Sequence, residues 1–421
     1  MRAHVSESTV AGVVHVPGSK SYTIRAAVCA AMADGVSHIE GAQHSDDASA
    51  VFECLRGLGA RVEIVGDEVH VQGGALHAPA LPLWCGESGA TFRFVAALAA
   101  TIPGVTVLRC ALSLARRPLQ PLLDAIHQVG VTCEFDPSSG TLAVHGREQT
   151  AGRVTLRADV SSQFLSAMLI SGPRYTDGLR LDLSSPIVSG RYVEMTRACM
   201  REFGVDVKVS EYGGAYVVPI GGFEPARYVV EGDWSGAAAV LALGALAGDV
   251  SVATLHDSSL QADVAVLDLL ERMGARVARR EGVVRVSASL LKPCSFHLAG
   301  AIDLLPVACA LGALAPGVTR LTGIARARDK ESDRVAAMAE GLARLGVRVD
   351  VDDDEMRIWG GTVHGGAVSS AGDHRIAMAF GVLGAAEGNV TVEGAECVSK
   401  TYPGFWDAMS KLGVKVTYDE Q

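Results

Sequence analysis

A chain of 421 residues is too long for one ordinary hydrophobic core, so two or three domains are expected. Hydrophobic residues make up 49% and charged residues 20%, which excludes a disordered chain, and a formal net charge of -10 excludes a nucleic-acid surface built on overall basic charge. Met1 to Val5 opens without an apolar leader, no run reaches membrane-spanning length, and the nine cysteines are scattered without a Cys-x-x-Cys pair. The expectation is a cytoplasmic protein with reduced thiols that fill the core.

The first predicted element is a strand at Val13-Val14-His15-Val16-Pro17, followed by an Ala-rich helix from Gly18-Ser19-Lys20-Ser21 to a glycine at Gly35. That pattern, an Ala-rich helix, a glycine, then a β-rich run, returns at Gly104, Gly178, Gly248, Gly317 and Gly388. Between these positions a second phrase recurs, a helix ending in Gly and followed by Val-x-Val alternation, at Gly59, Gly130, Gly204, Gly274, Gly346 and Gly413. Glycine just past the last helical turn fits a left-handed C-cap, and the alternation has strand period. The chain is thus read as six βαβαββ-like units of about 70 residues, each nearly a small domain rather than a solenoid repeat. The sixth unit ends just after Val416, one strand short, and the N-terminal strand Val13–Pro17 is expected to complete it. The termini then share a domain: residues 15–229 form one, and residues 1–14 with 230–421 form the other. Crossings are expected between Val14 and Ser19 and at Pro225 to Gly232.

The helix openings carry the chemistry. Ser88, Ser161, Asp233, Asp303 and Asp373 stand where N-capping residues are wanted, and capping explains most of them. It does not explain the cations. Lys20 in a first helical turn, Arg375 after Asp373-His374, and Arg93 after Gly89-Ala90-Thr91 oppose the helix dipole unless an anion lies beside them. The second helices repeat the theme, with Arg116-Arg117-Pro118 expected to open one, Lys330-Glu331-Ser332-Asp333-Arg334 another, and Ser399-Lys400-Thr401-Tyr402-Pro403 preceding the last. Each run alone is a solvated charged face. Six at equivalent repeat positions in an acidic chain point to a site for polyanions such as phosphates. The glycines from Gly360 to Gly366 lack a following basic helix and read as turns, and His364 and His374 lack metal-ligand partners at helical spacing.

Taken in order, Pro17-Gly18-Ser19-Lys20-Ser21 with Arg25, Arg117-Pro118, Ser161-Ser162-Gln163, Lys330 to Arg334, Asp373-His374-Arg375 and Lys400 to Pro403 resemble the EPSP synthase family along the whole chain. The resemblance implies a two-domain inside-out α/β barrel of three units per domain. It implies transfer of the enolpyruvyl group of phosphoenolpyruvate to the 5-hydroxyl of shikimate 3-phosphate, by addition and elimination, without cofactor or metal. Shikimate 3-phosphate is then expected at Lys20, Ser21, Arg25, Ser161, Ser162, Gln163, Ser189, Tyr192, Asp303 and Lys330. Phosphoenolpyruvate is expected at Lys20, Gly89, Arg117, Gln163, Arg334, Arg375 and Lys400. Asp303 is the candidate base for the hydroxyl, and Glu331 with Lys20 the candidate acids for methylene protonation.

The resemblance also implies a monomer without nucleic-acid or membrane partners, closure of the two halves on the bound anions, and sensitivity to glyphosate where Gly89 leaves room. Departures stand at Ile24, Glu87, Ala90 and Arg326, where the family commonly has Asn, Asn, Thr and Asn. The nearest rival is UDP-N-acetylglucosamine 1-carboxyvinyltransferase. Against it, Leu112 stands where that family has a cysteine, and Lys20-Ser21 replaces its Lys-Asn opening. A non-catalytic phospho-metabolite-binding relative is the reading from another class; retention of Lys20, Asp303, Glu331 and the cations argues against it.

Overall fold

The computed structural model describes residues 1–150, 152–211 and 213–419. The chain forms two compact units, Gly18–Val230 and Met1–Pro17 with Glu231–Gln421. Their ends are held locally. Pro17 O accepts from Asp233 N at 2.9 Å in one unit, and Val230 N donates to Glu40 O at 2.9 Å in the other.

Among the described residues there are six four-stranded sheets, three in each unit, all with the same pattern of one parallel and two antiparallel pairings. A strand pairs in parallel with the strand that follows the Ala-rich helix, and a hairpin completes the sheet, as in Leu83–Trp84, Gly104–Arg109, Thr132–Asp136 and Thr141–Gly146. The parallel pair flanking a helix is the βαβ crossover. Strands such as Arg2–Ser6, Glu68–Gln72 and Thr141–Gly146 alternate buried and more exposed residues, so their sheets cover the core with one face and meet water with the other.

The Ala-rich helices lie inside. Tyr22 to Ala31 are all buried in Lys20–Met32, and Trp234–Ala247 and His374–Glu387 are buried almost all round. A helix without a polar face must be enclosed, and alanine and glycine let such helices approach closely. Gly89–Ala99 packs on Ser162–Ser171, and His374–Glu387 packs on both Trp234–Ala247 and Leu305–Leu314. Helices within and sheets without is the inside-out arrangement expected.

Two strand assignments differ from the sequence reading. The strand that completes the sixth repeat is Arg2–Ser6, paired between Val390–Glu393 and Lys415–Asp419. Val10–His15, which includes most of the expected strand, instead pairs in parallel with Gly248–Ala253 in the fourth repeat. Reciprocally, Arg227–Val229 pairs with Val36–Glu40 in the first repeat. The opening strands of repeats one and four are therefore exchanged where the chain passes between units, which a periodic pattern cannot reveal.

The glycines after the second helices, from Gly59 to Gly413, all have positive φ, as a left-handed cap requires. Gly248 differs, with φ 167 in the extended region. Its glycine is needed for space, because a Cβ there would lie 1.8 Å from Val10 O of the exchanged strand.

Candidate active site

In the unit Gly18–Val230, Lys20 is the first residue of its helix, and the N-cap Ser19 makes no side-chain cap bond. Lys20 Nζ instead lies 2.9 Å from Asp47 Oδ2, with the carboxylate almost fully buried. Arg25, buried one turn later, donates to Thr196 Oγ1 at 2.8 Å, Ser21 O at 2.8 Å and Tyr192 O at 3.2 Å, and stacks over Phe94. Burial lowers the Arg25 guanidinium below its ordinary value. The predicted residues Ser21, Arg25 and Tyr192 are thereby brought together, with Ser189 one turn before Tyr192 in a positive-φ conformation.

A second group forms at the next two helix openings. Gly89 begins its helix after Ser88, whose hydroxyl accepts from Thr91 N. Ser161 caps the helix of Ser162 and Gln163 in the same way. Arg93 reaches across, donating to Gln163 Oε1 and to Pro118 O at 3.0 Å, with its guanidinium over the Phe164 ring. A Cβ on Gly89 would sit 2.7 Å from Arg93 Nη1, so this glycine makes room for the arginine. Arg116, Arg117 and Pro118 do not open the second helix as expected. They form the turn between a short helix, Leu112–Ala115, and Gln120–Gln128, whose own Pro121 occupies the first turn. Glu87, a departure from the family pattern, accepts from Ser113 Oγ and ties its loop to the short helix Leu112–Ala115.

The other unit gathers four cations and four carboxylates. Arg334, fully buried, donates through Nε to Asp373 Oδ2 at 2.7 Å, through Nη1 to Asp303 Oδ1 at 2.6 Å, and through Nη2 to Glu331 Oε2 at 2.8 Å. Lys330 Nζ lies 3.2 Å from Asp303 Oδ1, Arg375 Nη2 lies 3.9 Å from Asp303 Oδ2, and Lys400 Nζ lies 3.9 Å from Glu331 Oε1. All the residues predicted in this unit thus converge on Asp303 and Glu331.

Asp303 does not cap its helix; it lies in the turn Ile302–Leu304, and Leu304 occupies the cap position. A carboxylate withdrawn from a helix opening is explained by its three cations. Burial would raise its pKa, but Lys330, Arg375 and Arg334 hold it well below the usual carboxylate range. Burial lowers Lys330, while Asp303 works against that. Burial would also lower Arg334, yet Asp373, Glu331 and Asp303 hold it above its ordinary value.

Three members escaped the sequence reading. Asp373 appears there as a cap; it does accept from Arg375 N at 3.0 Å, but its carboxylate also anchors Arg334. Asp47 is an ordinary first-turn acid by sequence. Asp263, fully buried, accepts from Ser235 Oγ through Oδ2 and lies 3.6 Å from Arg375 Nη1, while its Oδ1 has no hydrogen-bond partner. Burial raises the Asp263 carboxyl. Only its largely apolar neighbourhood, Leu260 to Leu267 broken by Gln261, hinted that an acid there is unusual. Arg326, whose role the sequence left open, donates to Ala299 O at 2.6 Å.

Residues 5–409 match the family model described as EPSP synthase (3-phosphoshikimate 1-carboxyvinyltransferase). A 3-phosphoshikimate 1-carboxyvinyltransferase from Dehalococcoides mccartyi is 40% identical over 421 residues, covering all of both chains. One from Methanothermobacter thermautotrophicus is 40% identical and covers 96% of each. Among solved structures, EPSP synthase from Acinetobacter baumannii superposes with a TM-score of 0.83 at 27% identity, covering 99% of this chain and 100% of that one. The enolpyruvyl transferase NikO from Streptomyces tendae, at TM-score 0.81 and 19% identity, covers 99% and 98% and shares the fold.

Proposed function

The chain belongs to the EPSP synthase family, and on that premise we propose how its residues carry out the transfer of the enolpyruvyl group from phosphoenolpyruvate to shikimate 3-phosphate. In that reaction the 5-hydroxyl adds to C2 of phosphoenolpyruvate while C3 takes a proton. The tetrahedral adduct then loses phosphate and the C3 proton, giving the enolpyruvyl ether. The observation that carries the reading is Asp303 held by Lys330, Arg334 and Arg375 beside a Glu331 bridged to Arg334 and Lys400.

Asp303 so held is an anion with little appetite for a proton, and a general base works best near the operating pH. Substrate anions resolve this. A phosphate or carboxylate that draws Lys330 and Arg375 toward itself removes two of the charges that depress Asp303 and raises its basicity as the hydroxyl arrives. Glu331, set between Arg334 and Lys400, delivers the proton to C3 with Lys20 as second donor. The cations offset charge developing on the departing phosphate. Arg334, committed to three carboxylates, acts chiefly by fixing them; phosphoenolpyruvate is assigned to Lys20, Gly89, Arg117, Gln163, Arg334, Arg375 and Lys400.

Shikimate 3-phosphate is assigned to Lys20, Ser21, Arg25, Ser161, Ser162, Gln163, Ser189 and Tyr192, with Asp303 and Lys330. The uncapped start of Lys20–Met32 supports an anion there, because its first amides and Lys20 both favour phosphate. Arg25 also holds Ser21 and Tyr192 in place by donating to their carbonyl oxygens. The enzyme is read as a cytoplasmic monomer; among the described residues no helix is long and apolar enough to cross a membrane.

The test is phosphate release from phosphoenolpyruvate with shikimate 3-phosphate, beside UDP-N-acetylglucosamine as rival acceptor. Release with the first acceptor alone is expected, and release with the second alone would overturn the assignment. Asp303→Asn that keeps full turnover would remove the base.

A further inference from the structure

The outer face of the first repeat's sheet carries a cluster that the transfer reaction does not use. Across its four strands Arg227, His38, His70 and Glu63 are directly opposed and form one transverse row. Two residues along, Glu40 opposes Glu68 on the same face, while Ile39, Val69 and Tyr228 turn inward to the core. The His38 and His70 rings meet edge to face with centroids 4.4 Å apart. Glu68 Oε2 lies 3.1 Å from His70 Nε2 and 3.7 Å from His38 Nδ1. One ligand atom from each of the three residues falls within 4.8 Å of the others.

We propose that His38, His70 and Glu68 bind a divalent transition cation of the zinc class on the outer face of this sheet. Two imidazole nitrogens and a carboxylate oxygen make a donor set for zinc, nickel or copper, with a fourth position left to water. Magnesium and calcium prefer all-oxygen shells and are poorly served by it. The side chains are partly exposed, so an ion reaches them without opening the core and small rotamer changes bring the donors to bonding distance. Antiparallel pairing is what makes the site. His38 and His70 lie 32 positions apart, beyond any local metal-spacing pattern, and register sets them face to face.

The surrounding charges set its pH response. Glu40 and Glu63 add negative potential on the same face, and Arg61 is engaged with Glu63. Arg227 opposes the ion: its guanidinium pairs with Glu40 and lies 3.4 Å from Glu68 Oε1. Without an ion, His70 and Arg227 both engage Glu68, His70 through a hydrogen bond at 3.1 Å. An arriving cation takes Glu68 from Arg227, which keeps Glu40 as its partner. Protons compete with metal for imidazole nitrogens, so binding weakens on acidification.

The full chain, stripped of metal, is titrated with zinc chloride by calorimetry at about pH 7.5 and again at about pH 5.5. One zinc per chain is expected at the higher pH, fading at the lower, with no event for magnesium chloride. His38→Ala and His70→Ala abolish it, and Glu68→Gln weakens it on the order of tenfold or more. All three positions are surface residues of a formed sheet, and thermal melts without metal report that the variants fold. No zinc event in the wild-type chain, or an unchanged event in the two histidine variants, overturns the proposal. Phosphate release from phosphoenolpyruvate is measured in parallel and is expected to persist in these variants, so loss of the zinc site and loss of the enzymatic reading are told apart.

Discussion

Removal of Asp373 is the sharpest test of the buried network. Its carboxylate is inaccessible and accepts from Arg334 Nε at 2.7 Å and Nη2 at 3.3 Å, from Ser332 Oγ at 3.2 Å, and from the backbone of Arg375 at 3.0 Å. Taking one partner from a buried ion pair costs about 3–5 kcal/mol, because the remaining charge stays desolvated. Arg334 keeps Asp303 and Glu331, which places Asp373→Ala near the lower end, and loss of the helix cap adds about 1 kcal/mol. For a unit of about 200 residues, 3–5 kcal/mol corresponds to a fall of roughly 6–20 °C in Tm. Asp373→Asn keeps the shape and a cap acceptor and is expected to fall between wild type and Asp373→Ala. The assay is thermal and denaturant unfolding of all three proteins. An Asp373→Ala protein within about 0.5 kcal/mol of wild type would refute the reasoning, since a loss of that size belongs to surface positions.

Gly89→Ala is expected to raise KM for phosphoenolpyruvate, because the added methyl displaces Arg93 Nη1 from Gln163; unchanged steady-state kinetics would show that the arginine yields without consequence. Asp263→Asn is expected to raise KM for phosphoenolpyruvate by releasing Arg375, without loss of thermal stability, since burial already opposes the charged carboxyl; a lower Tm with unchanged KM would make Asp263 purely structural. Burial pushes the thiols of Cys110, Cys133 and Cys397 up to about 11. Their alkylation in the native chain near pH 8 should be on the order of 100-fold slower than that of a free thiol and should rise steeply toward pH 11, because the thiolate is the reactive form. Mass spectrometry that finds them labelled at the rate of free thiols would contradict that burial.

What the sequence made legible was periodic or charged. Glycine and Val-x-Val spacing revealed six repeats because helix ends and strand alternation are local demands of the backbone, repeated at Gly59, Gly130 and their equivalents. Lysines and arginines at helix openings were visible because they oppose a local dipole. Two kinds of feature were hidden. Strand exchange between repeats one and four leaves each strand's own pattern intact, so Val10–His15 reads the same whether it pairs with Gly248–Ala253 or with its own repeat; its one local trace is Gly248, a glycine kept for a backbone approach rather than for a turn.

The acids were hidden for a different reason. Asp47, Asp263 and Asp373 occupy positions where capping or first-turn preference already explains an aspartate, or where one apolar run conceals it, and only tertiary contact shows which cation each restrains. This asymmetry has a chemical basis. Cations that meet a polyanionic substrate must be held in position before it arrives, and the buried carboxylates do the holding. They can be supplied from any element that reaches the cluster, so their sequence positions are free to vary while the geometry is not. Arg334 shows the consequence: its neighbours Glu331 and Asp333 suggest a local charged face, yet Asp303 and Asp373, 31 and 39 positions away, fix where its guanidinium lies. A site of this kind announces its cations in sequence and reveals its acids only when the chain is folded.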